Sequence, residues 1–169
     1  MAALLLAGML PSVAGQLVKQ DVEGIRNFTR VDATVACAGA TSVEAIAELK
    51  RQGFAAIVNL RLESEAGADI DASRAAAEAA GLEYIHLPLD GGAPDPAVAD
   101  AFLAAVTDTA NQPVFIHCAS ANRVGALWLI KRVLKDGWSV EEATNEAKAI
   151  GLRSEALEQF ALKYIADHR

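Results

Sequence analysis

The sequence predicts a single α/β domain with a mostly parallel central sheet of four to five strands flanked by helices. Three observations predict it. Short apolar runs alternate with helix-periodic segments, the pattern of strands joined by right-handed crossovers. One run, Phe54 to Leu60, is continuously apolar, as in a strand covered on both faces. Hydrophobic residues make up 53% of the 169 positions and charged ones 22%, which suits one sizeable core in a chain short for two.

Ala2 to Leu10 is an apolar run ahead of the first charged side chain, Lys19, and Pro11, Ser12, Ala14 and Gly15 follow it. Residues 1–15 read as a signal peptide or an N-terminal apolar segment. The first implies export, periplasmic or secreted; a structural helix there implies a cytoplasmic protein. The run falls well below the ~20 residues that span a bilayer, so no integral membrane domain is expected.

Phe28 to Ala38 suits one or two short strands. Thr41 with Glu44 reads as a capping box, followed by Val43, Ile46, Ala47 and Leu49 at helical spacing up to Gly53. After the Phe54 to Leu60 strand, Ala72 to Ala80 is helical by propensity and is closed by Gly81. Tyr84 to Leu89 is the next strand. Asp95 with Pro96 reads as the cap and first residue of a helix reaching about Ala110. Val114 to His117 is a strand, Val124 to Leu134 a helix, and Ser139 with Glu142 and then Ser154 open two more.

Lys plus Arg total 15 against 22 Asp plus Glu, a net charge of -7. Such a balance repels phosphate backbones and no basic run offsets it, so no nucleic-acid partner is expected. The two cysteines, Cys37 and Cys118, are too few for a disulfide framework. A bridge between them would silence thiolate chemistry at Cys118.

Pro113 to Gly125 reads as strand, tight loop and helix start. The small residues let successive amides point into one concavity, a nest for an anion, and the helix dipole adds to it. Ala119, Ser120, Ala121 and Asn122 supply that binding loop. A thiol at Cys118 then has its anion stabilised by the amides and by Arg123, below the reference of about 8.5. The planar fork of Arg123 suits two oxygens of an oxyanion. His117 faces away from Cys118 if the strand alternates, and orients the loop through hydrogen bonds. Arg61, at the end of a strand, either meets an anionic substrate or pairs with Glu63 or Glu65. The chemistry calls for no cofactor and no metal.

Three passages carry a resemblance: Asn27-Phe-Thr-Arg-Val-Asp32, Ala55 to Arg61 with its Ile-Val-Asn-Leu-Arg, and His117-Cys118 to Trp128. They resemble the phosphatase-like domain of the beta-lactamase-hydrolase-like proteins, a bacterial branch of the protein tyrosine and dual-specificity phosphatase superfamily. The resemblance covers roughly Asn27 to Leu134 and implies a cysteine-phosphatase-like domain over 22–169. It also implies hydrolysis of phosphoric monoesters: Cys118 attacks phosphorus, a phosphocysteine forms, and Arg123 with the loop amides holds the equatorial oxygens. The acid that protonates the leaving oxygen lies on the loop after the preceding strand, which offers Asp90 and Asp95. Asp90 is favoured, since Asp95 has a sufficient role as a helix cap.

Departures from the wider pattern keep two alternatives open. Four residues rather than five separate Cys118 from Arg123, and Val124 stands where a hydroxyl is usual, although Ser120 could supply one. A shorter loop suits a sulfane sulfur, so sulfur transfer through a Cys118 persulfide, as in rhodaneses, is the runner-up. Ala121 replaces the usual glycine; if it needs positive φ, strain of about 1 kcal/mol follows, and a non-catalytic anion-binding module is the third reading. The expected partner is a phosphorylated or sulfane-sulfur anionic substrate. Cys37 either is simply buried or forms a reversible disulfide with Cys118.

Overall fold

The computed structural model describes residues 17–169. The apolar segment at 1–15, and with it the expectation of export, lies outside the described residues. A six-stranded sheet forms the centre, ordered β1-β2-β3-β6-β4-β5. β1 (Val18–Lys19) and β2 (Thr29–Arg30) are antiparallel additions at one edge. The other four, β3 (Val35–Ala38), β6 (Val114–His117), β4 (Ala56–Asn59) and β5 (Glu83–His86), run parallel. The sheet exceeds the expected four to five strands because the edge strands are two residues each, too short to show alternation.

Every residue of β3, β4 and β6 is buried, so these strands are covered on both faces. One face carries Cys37, Val58 and Ile116 against Leu127, Trp128 and Ile130, in the larger of two cores. The opposite face carries Ile57 and Phe115 against Phe28, Phe54, Ile46 and Leu49. Phe28 stacks on Phe115 with ring centroids 5.9 Å apart, and Phe54 meets it edge-on at 5.8 Å.

The helices are α1 (Ile46–Arg51), α2 (Ile70–Ala79), α3 (Pro96–Thr107), α4 (Asn122–Leu134), α5 (Val140–Ile150) and α6 (Glu155–Asp167). Thr41 does not cap α1: it bridges to Ile25 as extended chain, and two tight turns, Ala45 to Ser42 and Ile46 to Val43, follow before the helix proper. α3 stops at Thr107, short of Ala110, and a 3-10 turn at Thr109–Asn111 replaces its last residues. Asp95 accepts from the Ala97 amide with Pro96 in the first turn, and Ser139 and Glu142 form a reciprocal capping box on α5. Ser154 caps α6 through the Leu157 amide.

α4 is the hub of the larger core, and two features seat it. Gly125 lies where an added Cβ would come within 2.8 Å of the Ala147 carbonyl oxygen and 2.9 Å of Leu152 Cβ, so only glycine admits the end of α5. Buried Arg132 pairs with buried Glu146 at 2.6 Å, and Trp128 Nε1 donates to the same carboxylate at 2.8 Å. Among the described residues no helix is long and apolar enough to cross a membrane.

Candidate functional site

Parallel sheets gather ligands at the carboxyl ends of their strands. Here the ends of β4, β5 and β6 meet in register, with Asn59 beside both His86 and His117. Cys118 follows β6 directly, 119–121 form the loop, and α4 starts at Asn122. The amides of Ala119, Ser120, Asn122, Arg123 and Val124 donate to no acceptor among the described residues, the last three because a first helical turn leaves them free. β3 props the loop from one side, where the Ala40 amide donates to the Ala119 carbonyl at 3.0 Å. A Cβ at Gly39 would stand 3.1 Å from that same oxygen.

Ala121 has φ of 67°, left-handed backbone in which a methyl is strained by about 1 kcal/mol or more. The methyl is accommodated because Gly151, at the end of α5, faces it: a Cβ there would be 2.8 Å from Ala121 Cβ. The Asn122 side chain turns away from the loop's concavity, its Oδ1 accepting from the amides of Arg153 at 2.9 Å and Ser154 at 3.1 Å. Its backbone amide is left for a ligand. Ser120 is the exposed residue of the loop, Ala119 is half-buried, and Cys118 beneath them shows 0% exposed surface.

Arg123 is buried at 9% exposure and heavily engaged. Its Nη1 donates to the Leu60 carbonyl at 3.1 Å, the Leu89 carbonyl at 3.0 Å and Glu65 Oε1 at 2.6 Å, while Nη2 donates to Glu65 Oε2 at 2.9 Å. Burial works against the charged guanidinium, but its hydrogen bonds to Glu65 and the neighbouring charge of Cys118 outweigh it and raise its pKa. Glu65 itself is held down to about 2. Its partial burial opposes this and is overcome by hydrogen bonds from Arg123, the Leu62 amide and Arg61.

Arg61 does not present a free guanidinium to a ligand. Its Nε donates to Glu65 at 3.2 Å, Nη1 to the Gly67 carbonyl at 2.6 Å and Nη2 to the Ala66 carbonyl at 2.7 Å. It organises the loop after β4, and of the two carboxylates weighed for it, Glu65 is the partner. His117 is on the face opposite Cys118, stacked on Phe115 with centroids 5.7 Å apart. Burial, assisted by Arg61, pushes its pKa down to about 3, and its Nδ1 makes no hydrogen bond. Hydrogen bonding with the backbone of Cys118 and Gly39 acts the other way on the ring.

Asp90 is exposed and accepts from the Gly92 amide at 2.8 Å. Its chain neighbour Leu89 is tied by its carbonyl to Arg123, so the loop bearing Asp90 is anchored on the candidate site, whereas Asp95 is occupied as the α3 cap. Both cysteines are free and belong to the same core. Burial, with Glu146 nearby, pushes the Cys37 thiol well up. Glu65 was not singled out by sequence as the partner of Arg123: its four-residue spacing from Arg61 is legible, but the link across 58 positions needs the topology.

A cysteine at the end of the central parallel strand, a short loop and an arginine opening the next helix define this as an α/β fold of the cysteine-phosphatase-like class. Solved structures bear out the fold. A DUF442 protein from Shewanella putrefaciens superposes with a TM-score of 0.72 at 20% identity, over 86% of this chain and 95% of that one. TpbA from P. aeruginosa gives 0.68 at 20% identity, over 94% of each chain. The core catalytic domain of the PP-IP phosphatase SIW14 from S. cerevisiae gives 0.70 at 22%, over 85% and 88%. Residues 27–135 match the phosphatase-like domain of the beta-lactamase hydrolase-like proteins, and the chain belongs to that family. Beta-lactamase hydrolase-like proteins of two Xylella fastidiosa strains are 30% identical over 123 residues, 72% of this chain and 27% of theirs. The chain therefore spans about a quarter of the length of those relatives.

Proposed function

We propose that the chain is a cysteine-dependent phosphatase acting on phosphoric monoesters through a phosphocysteine. One observation carries it: in the loop and helix start that follow Cys118, the amides of Ala119, Ser120, Asn122, Arg123 and Val124 have no acceptor among the described residues, and the Arg123 guanidinium neighbours the thiol. Preorganised donors of this kind favour charge that develops on phosphoryl oxygens. Cys118 Sγ attacks phosphorus as the ester P–O bond breaks, and Asp90 gives its proton to the leaving oxygen. Water then cleaves the S–P bond and releases phosphate. Cys118 has no exposed surface, so the ester reaches the sulfur only when the residues that cover it move. A Cys-to-Ser variant of TpbA is known in complex with phosphotyrosine, which supports an aryl phosphate as the first substrate to test.

Aryl phosphate hydrolysis and thiosulfate-to-cyanide sulfur transfer, measured in parallel on wild type and Cys118→Ser, decide the matter. Phosphate release confined to wild type is expected; release that survives the serine variant discards the phosphocysteine. Sulfur transfer without hydrolysis reassigns Cys118 to persulfide chemistry, and silence in both leaves an anion-binding module. Asp90→Asn lowers the rate and flattens the alkaline limb of the pH-rate profile, and an unchanged limb removes Asp90 as the acid.

A further inference from the structure

Beside the anion loop runs a segment that presents a cation of its own. Arg26 is fixed through its backbone on both sides: its amide donates to the Ala40 carbonyl at 2.8 Å, and its carbonyl accepts from the Gly39 amide at 2.7 Å. Residues 39 and 40 in turn carry the loop, since the Ala40 amide donates to the Ala119 carbonyl at 3.0 Å and Gly39 bridges to Ser120. A Cβ at Gly39 would lie 3.1 Å from the Ala119 carbonyl oxygen, 3.2 Å from that of Arg26 and 3.3 Å from Ser120 Cα, so three chain segments meet at that point. Left-handed backbone at Gly24 and Asn27, with φ of 74° and 54°, brackets Arg26 and sets the path of the turn ahead of β2.

The Arg26 side chain is exposed and makes no hydrogen bond or ion pair among the described residues. The other arginines around the loop are engaged. Arg61 and Arg123 answer to Glu65 and to backbone carbonyls. Arg153, whose amide donates to Asn122 at the start of α4, turns its Nη1 onto the carbonyls of Lys148 and Leu152. Asp21 and Glu23, the carboxylates closest to Arg26 in sequence, line an open cavity against α1 and form no ion pair with it. In a chain of net charge -7, an unpaired guanidinium held beside an anion seat suits a second oxyanion on the same ligand.

We propose that Arg26 is a specificity-determining residue: it meets a second anionic group on a substrate whose phosphoryl group sits in the loop after Cys118. This rests on the phosphatase reading and deepens it, naming the substrate class as phosphoric monoesters that carry a further negative charge outside the ester. Because the guanidinium is exposed, the contact acts as a surface ion pair does and is screened by salt. Its mark is therefore a preference between substrates.

The test uses the full chain as wild type, Arg26→Gln, Arg26→Lys and Arg26→Glu, with thermal melts to confirm that each is folded at the assay temperature. Values of kcat/KM are measured on phenyl phosphates with a meta or para carboxylate and on the matching neutral carboxamides. A second series uses phosphotyrosine peptides with Asp or Asn beside the phosphotyrosine, which separates a peptide source of the charge from a small molecule. Each charged-to-neutral ratio is compared between proteins, so differences in leaving-group strength cancel. In at least one series the ratio should fall about threefold to fivefold in Arg26→Gln, the upper range of a surface ion pair. It should fall further, by about tenfold, in Arg26→Glu and stay within about twofold of wild type in Arg26→Lys, which keeps the charge. Added salt should shrink the wild-type ratio more than that of Arg26→Gln.

Ratios within about 1.5-fold of wild type for both Arg26→Gln and Arg26→Glu, in the phenyl and peptide series alike, overturn the assignment and leave the phosphatase reading standing. A wild type that hydrolyses neither series removes the phosphatase reading, and Arg26 is then judged by binding. Titration calorimetry compares phenylphosphonates bearing a carboxylate with those bearing a carboxamide. A wild-type preference for the carboxylate that Arg26→Gln loses upholds the role of Arg26 without hydrolysis; equal binding, or none, overturns it.

Discussion

Gly151→Ala, alone and combined with Ala121→Gly, probes how the anion loop is accommodated. The new methyl at 151 would stand 2.8 Å from Ala121 Cβ and 3.2 Å from the Ala121 carbonyl carbon and oxygen. Carbon atoms rest at about 3.5–4.0 Å, so a gap of about 1 Å must open between the end of α5 and the loop. Overpacking of that size costs about 1–3 kcal/mol, and φ of 157° adds strain to any side chain at 151 in both backgrounds. Ala121→Gly by itself relieves left-handed strain of about 1–2 kcal/mol at φ 67°, against about 0.5–1 kcal/mol for the extra freedom of glycine, a small net gain. In the double variant the methyl-to-methyl clash disappears while the backbone contacts at 3.2 Å stay, so recovery is partial. The coupling should be about 1 kcal/mol. Urea unfolding midpoints at constant m give the four stabilities. Effects that add within about 0.3–0.5 kcal/mol would show that the Ala121 methyl is not what the glycine at 151 makes room for.

Four further outcomes are expected. His117 has its pKa at about 3 instead of 6.5, so its contribution is intact above pH 6.5 and is lost as the pH falls toward 3. About 2 kcal/mol should be gone by pH 5, and His117→Leu should flatten that slope in urea titrations; an unchanged slope places the cause elsewhere. The same sign holds for Glu65 in a lower window: its carboxyl moves from 4.5 to about 2, and stability present above pH 4.5 drains away by about 3 kcal/mol as the pH falls to 2. Glu146→Ala leaves the Trp128 N–H without its acceptor and takes from buried Arg132 its shortest carboxylate contact, with Asp136 at 2.9 Å and Asp32 at 3.5 Å still beside it; it should cost about 1–3 kcal/mol by denaturant unfolding, whereas a loss under about 0.5 kcal/mol would mean the pair is solvated. Native protein treated with iodoacetamide should be modified at Cys118 as the residues covering it move and spared at Cys37, whose thiol burial pushes up; mass spectrometry locates the adduct, and a Cys118 that never reacts removes the enzymatic reading.

Much of this was legible in the chain because its determinants are local. Strand, cysteine, small-residue loop and arginine lie within Pro113 to Gly125, and a continuous segment cannot place Arg123 far from Cys118. The caps at Asp95, Ser139 and Ser154 were readable for the same reason, each being a side chain bonding an amide two or three residues on. Thr41 misled, since its extended bridge to Ile25 is set by a residue on a neighbouring segment that periodicity does not register. Glu65 and Gly151 were hidden for a related cause. Their partners Arg123 and Ala121 lie on a different strand-helix unit, and only packing of β4 beside β6, or of α5 against α4, reveals them. The choice left open for Arg61 closed on this account: a cation at a strand end looks available until Glu65 and the two carbonyls that absorb it are in place.

A single nitrogen, Nη1 of Arg123, answers at once to a carbonyl just past β4, a carbonyl just past β5 and a carboxylate in between. The guanidinium is thus a keystone that two strand ends and the loop between them lean on before any ligand arrives. Insertions between Leu89 and Asp95 should therefore be felt at the anion seat even where they touch nothing there, and natural variation in this fold ought to lengthen the outer part of that loop while sparing the residue whose oxygen meets the arginine.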